Sequence, residues 1–354
     1  MNLRLDRDQR SSALLLSPPF LYAVVLLALP IVAVLLFSFW TQDFLDIDRT
    51  FTLLNYNDAL TQPIYRTLIL RSLLISASVT AITVLLAFPI AYYVSFAVPP
   101  HRKSLWLFLI TIPFWTSYLI RVFLWKVILG YNGVLNTSLQ GVGLIDEPLT
   151  FILYNANAVV ITLAHAFAPF AILPIFVSLE KIDRALLEAS RDLGESRVTT
   201  FFRVTLPLAM PGVVAAILIV FIPTIGDYVT PELMGGAGGK LIANMIQTQF
   251  LALNNAPLGA TLALIAMLCV GLVLLWLFSR LRLWTWLGER GHSALAGAGL
   301  VAALMVAEYA LLMAVLWIVP GAFGLPATWL TIAGVIILTS GIVFARLPRG
   351  RWGV

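Results

Sequence analysis

Asp227, Tyr228 and Glu232 set two carboxylates and a phenol close together, directly after a long apolar run. A carboxylate beside an aromatic ring suits an amine cation, through ion pairing and attraction to the ring face. Trp115 and Tyr118 lie late in another apolar run and could join the same substrate pathway. These residues equally fit a plain interfacial role, because Trp and Tyr collect at membrane surfaces without any ligand. Arg121 and Lys126 follow Tyr118 on its run. A helix entered at residue 105 would carry Arg121 about 24 Å across, where long cations snorkel to the interface. Pairing with acids on that side is the expectation. His165, followed by Pro169 and Pro174, reads as an interhelical donor on a kinked helix.

No enzyme signature accompanies these groups. The chain has no GxxxxGK[ST] phosphate loop, no HExxH, no nucleophile elbow and no CxxC pair. Catalytic residues, a metal site and a cofactor are therefore not expected. Cys269 is the lone cysteine and sits in an apolar run, which excludes a disulfide framework.

Composition defines what must position such residues. Of 354 residues, 60% are hydrophobic and 11% charged, against about 25% charged in a soluble chain. A polytopic all-α membrane bundle follows, since each span needs ~20 apolar residues. Eight spans are expected, over 18–40, 67–96, 105–129, 151–178, 206–226, 257–279, 294–319 and 326–345. With the N-terminus inside, all of the 22 basic residues except Arg49, Arg66, Arg71, Arg121, Lys126 and Lys240 fall on one side. That asymmetry places both termini in the cytoplasm. The first apolar run is longer than a signal h-region and lacks a small-x-small cleavage site, so it is read as a retained helix. Residues 1–17 form a cytoplasmic segment, 18–290 the six-span core, and 291–354 an appended two-helix hairpin with a basic tail. Glu308 lies midway along that hairpin's first helix. An embedded carboxylate is a functional candidate, but no basic partner appears at matching depth.

One polar island interrupts the apolar pattern, at 183–207. Asp183 can cap a helix running through Leu193, Gly194 sits where a helix-ending glycine belongs, and Ser196 can cap a second short helix. Pro207 is expected to stop that helix and open the fifth span. Leu186, Leu187, Leu193, Phe201 and Phe202 supply apolar knobs and Arg184, Arg191 and Arg197 a charged rim. Such a helix–Gly–helix unit suits docking into a cleft on a soluble partner. An ordinary interfacial loop would share its amphipathicity but not its full spacing.

That spacing, Glu188-Ala189-Ser190, three residues, Gly194, nine residues, Val204-x-Leu206-Pro207, resembles the EAA loop of ABC importer permeases. Ser190 replaces the second alanine and Val204 an isoleucine. Three further segments carry the resemblance: Ile112 to Arg121, Trp125 to Asn136, and Gly226 to Gly236. Together they are similar to permease subunits of type I ABC importers of the spermidine/putrescine subgroup, over about residues 15–285. The resemblance implies a MetI-like permease core in a bacterial inner membrane, importing a small solute such as a polyamine by alternating access. Glu188, Ala189, Ser190, Gly194, Leu206 and Pro207 would couple it to ATPase subunits, which would hold the ATP and Mg²⁺. Other implied partners are a second permease subunit, as a heterodimer, and an extracytoplasmic solute-binding protein. Besides the bilayer no nucleic-acid partner is expected. The alternatives are a permease for another solute and an ion-driven secondary transporter. The latter calls for inverted repeats and paired mid-membrane carboxylates, and the chain shows neither.

Overall fold

The computed structural model describes residues 7–44 and 46–289. The expected hairpin at 291–354, with its two spans and Glu308, lies outside the described residues. Helices dominate, as they must where lipid offers backbone groups no partner. Among the described residues six helical segments are long and apolar enough to cross a membrane.

Helix α1 (Arg7–Phe37) leads to a small antiparallel hairpin, β1 (Thr41–Asp43) and β2 (Asp46–Asp48), with Thr41 opposite Asp48. After α2 (Leu54–Thr61), α3 (Pro63–Phe96) and α4 (Pro100–Thr111) meet at the Pro99-Pro100 turn. The chain continues through α5 (Tyr118–Leu129), α6 (Val134–Gly141), α7 (Ala156–Glu180), α8 (Arg184–Asp192) and α9 (Arg197–Thr200) to α10 (Leu206–Gly226). Short helices α11 (Val229–Met234), α12 (Gly236–Gly239) and α13 (Ile242–Gln247) precede the long α14 (Ala256–Glu289).

Two compact units divide the chain: residues 1–59 with 68–266, and 60–67 with 267–354. In the second, Thr67 Oγ1 donates back to Pro63 O at 2.8 Å in the first turn of α3, and Cys269 is half-buried. The polar island and the acids after α10 both belong to the first unit. Its core is one buried cluster in which Val79 and Ala87 of α3, Leu163, Ile175 and Leu179 of α7, and Ala209, Val213 and Ala216 of α10 come together. Small residues let α7 and α10 approach closely. A Cβ on Gly212 would lie 2.4 Å from the Pro174 carbonyl oxygen, and the Gly212 N–H donates to Ser178 Oγ at 3.1 Å.

Three predicted boundaries are corrected. The expected span 105–129 is broken: α4 ends at Thr111, one 3-10 turn covers Ile112–Trp115, and α5 starts at Tyr118. Pro113 is the second residue of that turn and Thr116 is extended, so the ladder cannot continue. The segment of crossing length is instead Tyr118–Gly141, through α5 and α6. Asn136 closes their junction, donating to the carbonyls of Gly130 (3.1 Å) and Tyr131 (3.3 Å) and accepting from Leu149 N–H. The fourth span starts at Ala156, not 151, because Asn155 caps it, accepting from the N–H groups of Asn157 and Ala158. The fifth starts at Arg197 rather than 206. A π-turn over Phe201–Thr205 carries the helix through Pro207. The wider turn relieves the ring clash and missing donor with which proline breaks an α-helix.

Candidate functional site

At one end of the α7–α10 pair lies the polar island. Asp183 caps α8, its carboxylate accepting from Ala185 N–H at 3.0 Å. Gly194 has φ +83°, the left-handed region that favours glycine. Two backbone bonds close the helix around it, Gly194 N–H to Arg191 O (2.8 Å) and Glu195 N–H to Ser190 O (3.2 Å). Ser196 caps α9 by accepting from Thr199 N–H at 3.2 Å. These caps match the spacing of the island in sequence.

The two limbs are fixed to each other. Ser190 Oγ and Thr200 Oγ1 are hydrogen-bonded at 2.9 Å, and Arg203 pairs with Glu195 at 2.6 Å. Glu188 and Ala189 are exposed, and Glu188 has no hydrogen-bond or ionic partner among the described residues. Leu206 is half-buried and Pro207 exposed. Of the five apolar knobs, Leu186, Leu193 and Phe202 face outward, Leu193 at 85% exposure. Leu187 and Phe201 do not. Leu187 joins the core, and Phe201 packs edge-on to Phe88 and Tyr92. A helix buries one stripe when packed on a bundle, so only the opposite stripe is left facing outward.

The opposite end of α10 holds the acids. Asp227 is the residue after the last turn of α10. Its Oδ2 accepts from Tyr118 OH at 2.8 Å, and its Oδ1 from Val229 N–H at 3.1 Å. Thr230 Oγ1 lies 2.6 Å from the same phenol oxygen. Burial pushes the Asp227 carboxyl above its ordinary value, and the bonds from Tyr118 and its neighbours only partly offset that. Tyr228 is exposed and immediately precedes α11. Its carbonyl accepts from Asn244 Nδ2 at 2.8 Å, and the same amide reaches Glu232 Oε2 at 3.1 Å. Glu232 also pairs with Lys240 at 3.4 Å. The structure thus brings Tyr118 and Asp227 together as anticipated. Trp115 is 80% exposed at the end of its 3-10 turn and takes no part in this network.

Among the described residues Arg121 and Lys126 do not pair with acids. Arg121 donates to Ala166 O at 3.3 Å and lies 5.8 Å from the Tyr118 ring centre, while Lys126 sits 5.9 Å from that of Tyr154. Asp227 and Glu232 have hydroxyl, amide or Lys240 partners, and the two cations settle on a carbonyl and on ring faces. His165 was expected to donate. The interhelical bond observed is one it accepts, from Trp125 Nε1 to its Nδ1 at 3.0 Å. Thr230 and Asn244 were missed by the sequence reading. Their signal was weak, since each sits on a helix of only six residues, too short to show a periodicity. Among the described residues no cluster of His, Cys, Asp or Glu could hold a metal ion.

Among the described residues, six segments of crossing length are interrupted by one capped helix–glycine–helix insert. Residues 20–286 match the family described as binding-protein-dependent transport system inner membrane component. The chain belongs to that family: it is a multi-pass permease component of an ABC importer. It is 39% identical over 264 residues to the spermidine/putrescine transport system permease protein PotB of Escherichia coli, covering 73% of this chain and 94% of that one. The Haemophilus influenzae PotB is 39% identical over 69% of this chain and 85% of its own. The E. coli inner membrane ABC transporter permease protein YdcU is 32% identical, over 74% and 86%. Among solved structures, a bacterial ABC transporter involved in import of the acidic polysaccharide alginate matches with TM-score 0.57 at 17% identity, over 78% of this chain and 96% of that one. A bacterial alginate ABC transporter in complex with its alginate pentasaccharide-bound periplasmic protein matches with TM-score 0.59 at 16% identity, over 76% and 93%. At these identities the structures establish the fold.

Proposed function

We propose that this permease carries a polyamine such as putrescine or spermidine across the inner membrane, driven by a separate ATPase. The observation that carries the substrate class is the 39% identity to spermidine/putrescine permeases over nearly their whole length. The Tyr118–Asp227 pair adds chemistry to it, as a carboxylate and an aromatic ring set side by side for an ammonium group. Asp227 and Tyr228 take part in the pathway, with Tyr118 orienting the carboxylate; Glu232 and Trp115 lie nearer its mouth.

ATP and Mg²⁺ bind to the partner ATPase chains, which receive the exposed face of α8 and the Gly194 turn. Glu188, Ala189, Ser190, Gly194, Leu206 and Pro207 belong to that coupling unit. Closure of the ATPases pushes α8, and the packed α7–α10 pair turns as one body to open the pathway outward. A second permease subunit completes the pathway, and an extracytoplasmic binding protein delivers the solute. Both termini face the cytoplasm, in line with the basic residues near the island. Uptake of labelled spermidine by proteoliposomes holding the complete transporter tests this reading. ATP- and binding-protein-dependent uptake, displaced by unlabelled putrescine, is the expected result. Import of a different solute with no polyamine uptake would overturn the substrate class.

A further inference from the structure

The α3–α4 turn carries a feature that packing alone does not require. Ser95 stands four residues before Pro99, so its helix carbonyl faces a residue with no N–H to give. Ser95 is 1% exposed, which leaves water little access. Two cations serve the carbonyl instead: Lys103 Nζ donates to it at 2.8 Å and Arg184 Nη2 at 3.0 Å. The Ser95 hydroxyl donates to Glu180 Oε1 at 2.6 Å, and Lys103 closes the ring with an ion pair to the same oxygen at 2.6 Å.

The positions of these residues give the ring its meaning. Glu180 ends α7 and Arg184 begins α8, while Ser95 and Lys103 flank the α3–α4 turn. The entry of the docking insert is therefore strapped to α3 and α4, not merely continued from α7. Its exit is held to α3 as well, through Phe201 set edge-on to the Phe88 ring at 5.6 Å. Arg184 adds a second hold, with its guanidinium 5.6 Å from the Phe96 ring centre. Lys103 is 12% and Glu180 35% exposed, so solvent screens the pair in part, and the buried Ser95 hydroxyl and carbonyl hold its geometry.

We propose that the Ser95–Lys103–Glu180–Arg184 ring delivers the insert's motion to α3 and α4, making Lys103 and Glu180 positioning residues for coupled transport. Without the ring, a push on α8 reaches the bundle through the Lys181–Asp183 link to α7 and through apolar packing. With it, α3, α4, α7 and α8 move as one hydrogen-bonded body. This inference rests on the docking role proposed for the insert.

The test uses the complete transporter in proteoliposomes and reads solute imported per ATP hydrolysed. The variants are Lys103→Met, the near-isosteric Glu180→Gln, Lys103→Arg and, as a separate probe of docking, Gly194→Val. Lys103→Met and Glu180→Gln should lower the ratio by about fivefold or more, with the complex still assembled on size exclusion and still hydrolysing ATP. Lys103→Arg, which keeps the charge and donors, should hold the parent ratio. A parent ratio in assembled Glu180→Gln, an equal fall in Lys103→Arg and Lys103→Met, or failure of Glu180→Gln to assemble would each overturn the proposal. A parent ratio in Gly194→Val would remove the docking role itself. A reduced ratio there, beside parent ratios in the ring variants, would remove the ring alone.

Discussion

Asp227, proposed as a cation contact, is not a free side chain. Its oxygens are held by Tyr118 and the Val229 N–H, and burial raises its proton affinity. Asp227→Asn should keep the geometry and lose the charge, so spermidine uptake should fall about tenfold or more, a charge-assisted bond contributing ~1.5–3 kcal/mol. Equal uptake by mutant and parent in vesicles would remove Asp227 from the pathway. The raised proton affinity fixes the sign of the pH response. As pH falls, Asp227 takes up a proton above the usual carboxylate range of ~3.9, and uptake should decline there. The Asn variant should lack that limb of the profile. Asp227 and Tyr118 were legible as candidates from residue type alone. Their pairing was not, because it joins residues 109 apart in the chain. Nor was the acceptor role of His165, which depends on a tryptophan from another helix.

At the scale of elements, the insert was the most legible part of the molecule. Its caps and its glycine act over two to four residues, so spacing suffices to place them. Span boundaries were less legible where backbone and side chains compete. Pro113 broke a run that composition read as continuous, whereas Pro207, expected to stop a helix, was carried by a π-turn. Two glycines of different kinds follow from this. Gly212 is sterically tight, and Gly212→Leu should destabilise the α7–α10 pair by ~1–3 kcal/mol, seen as a lower unfolding midpoint in detergent. An unchanged midpoint would contradict the close packing. Gly194 has open space around it, and Gly194→Ala costs only the left-handed backbone, roughly 1–2 kcal/mol. The larger Gly194→Val should leave the protein inserted and lower uptake by disturbing the docking turn. Undiminished uptake would refute that role.

For the whole molecule, composition and charge asymmetry led to a polytopic bundle of eight spans, six of them before residue 290, and six crossing segments are found among the described residues. This scale is legible because apolar length is a sum over many residues, which single errors hardly move. The family match ends at residue 286, short of the appended segment. Deleting 292–354 should therefore leave uptake largely intact, and loss of complex assembly would show that this segment belongs to the working core.

The central claim is that the exposed face of α8 meets the ATPase. It is tested most directly by placing a cysteine at Glu188, with Cys269 replaced by alanine, and treating the working transporter with a short cysteine-to-amine cross-linker. The account predicts an adduct of this chain with the ATPase chain, formed only when the cysteine is present and only in membranes open on the cytoplasmic side. Labelling of residue 188 from outside sealed cells, or no ATPase adduct in complexes that still transport, would contradict it.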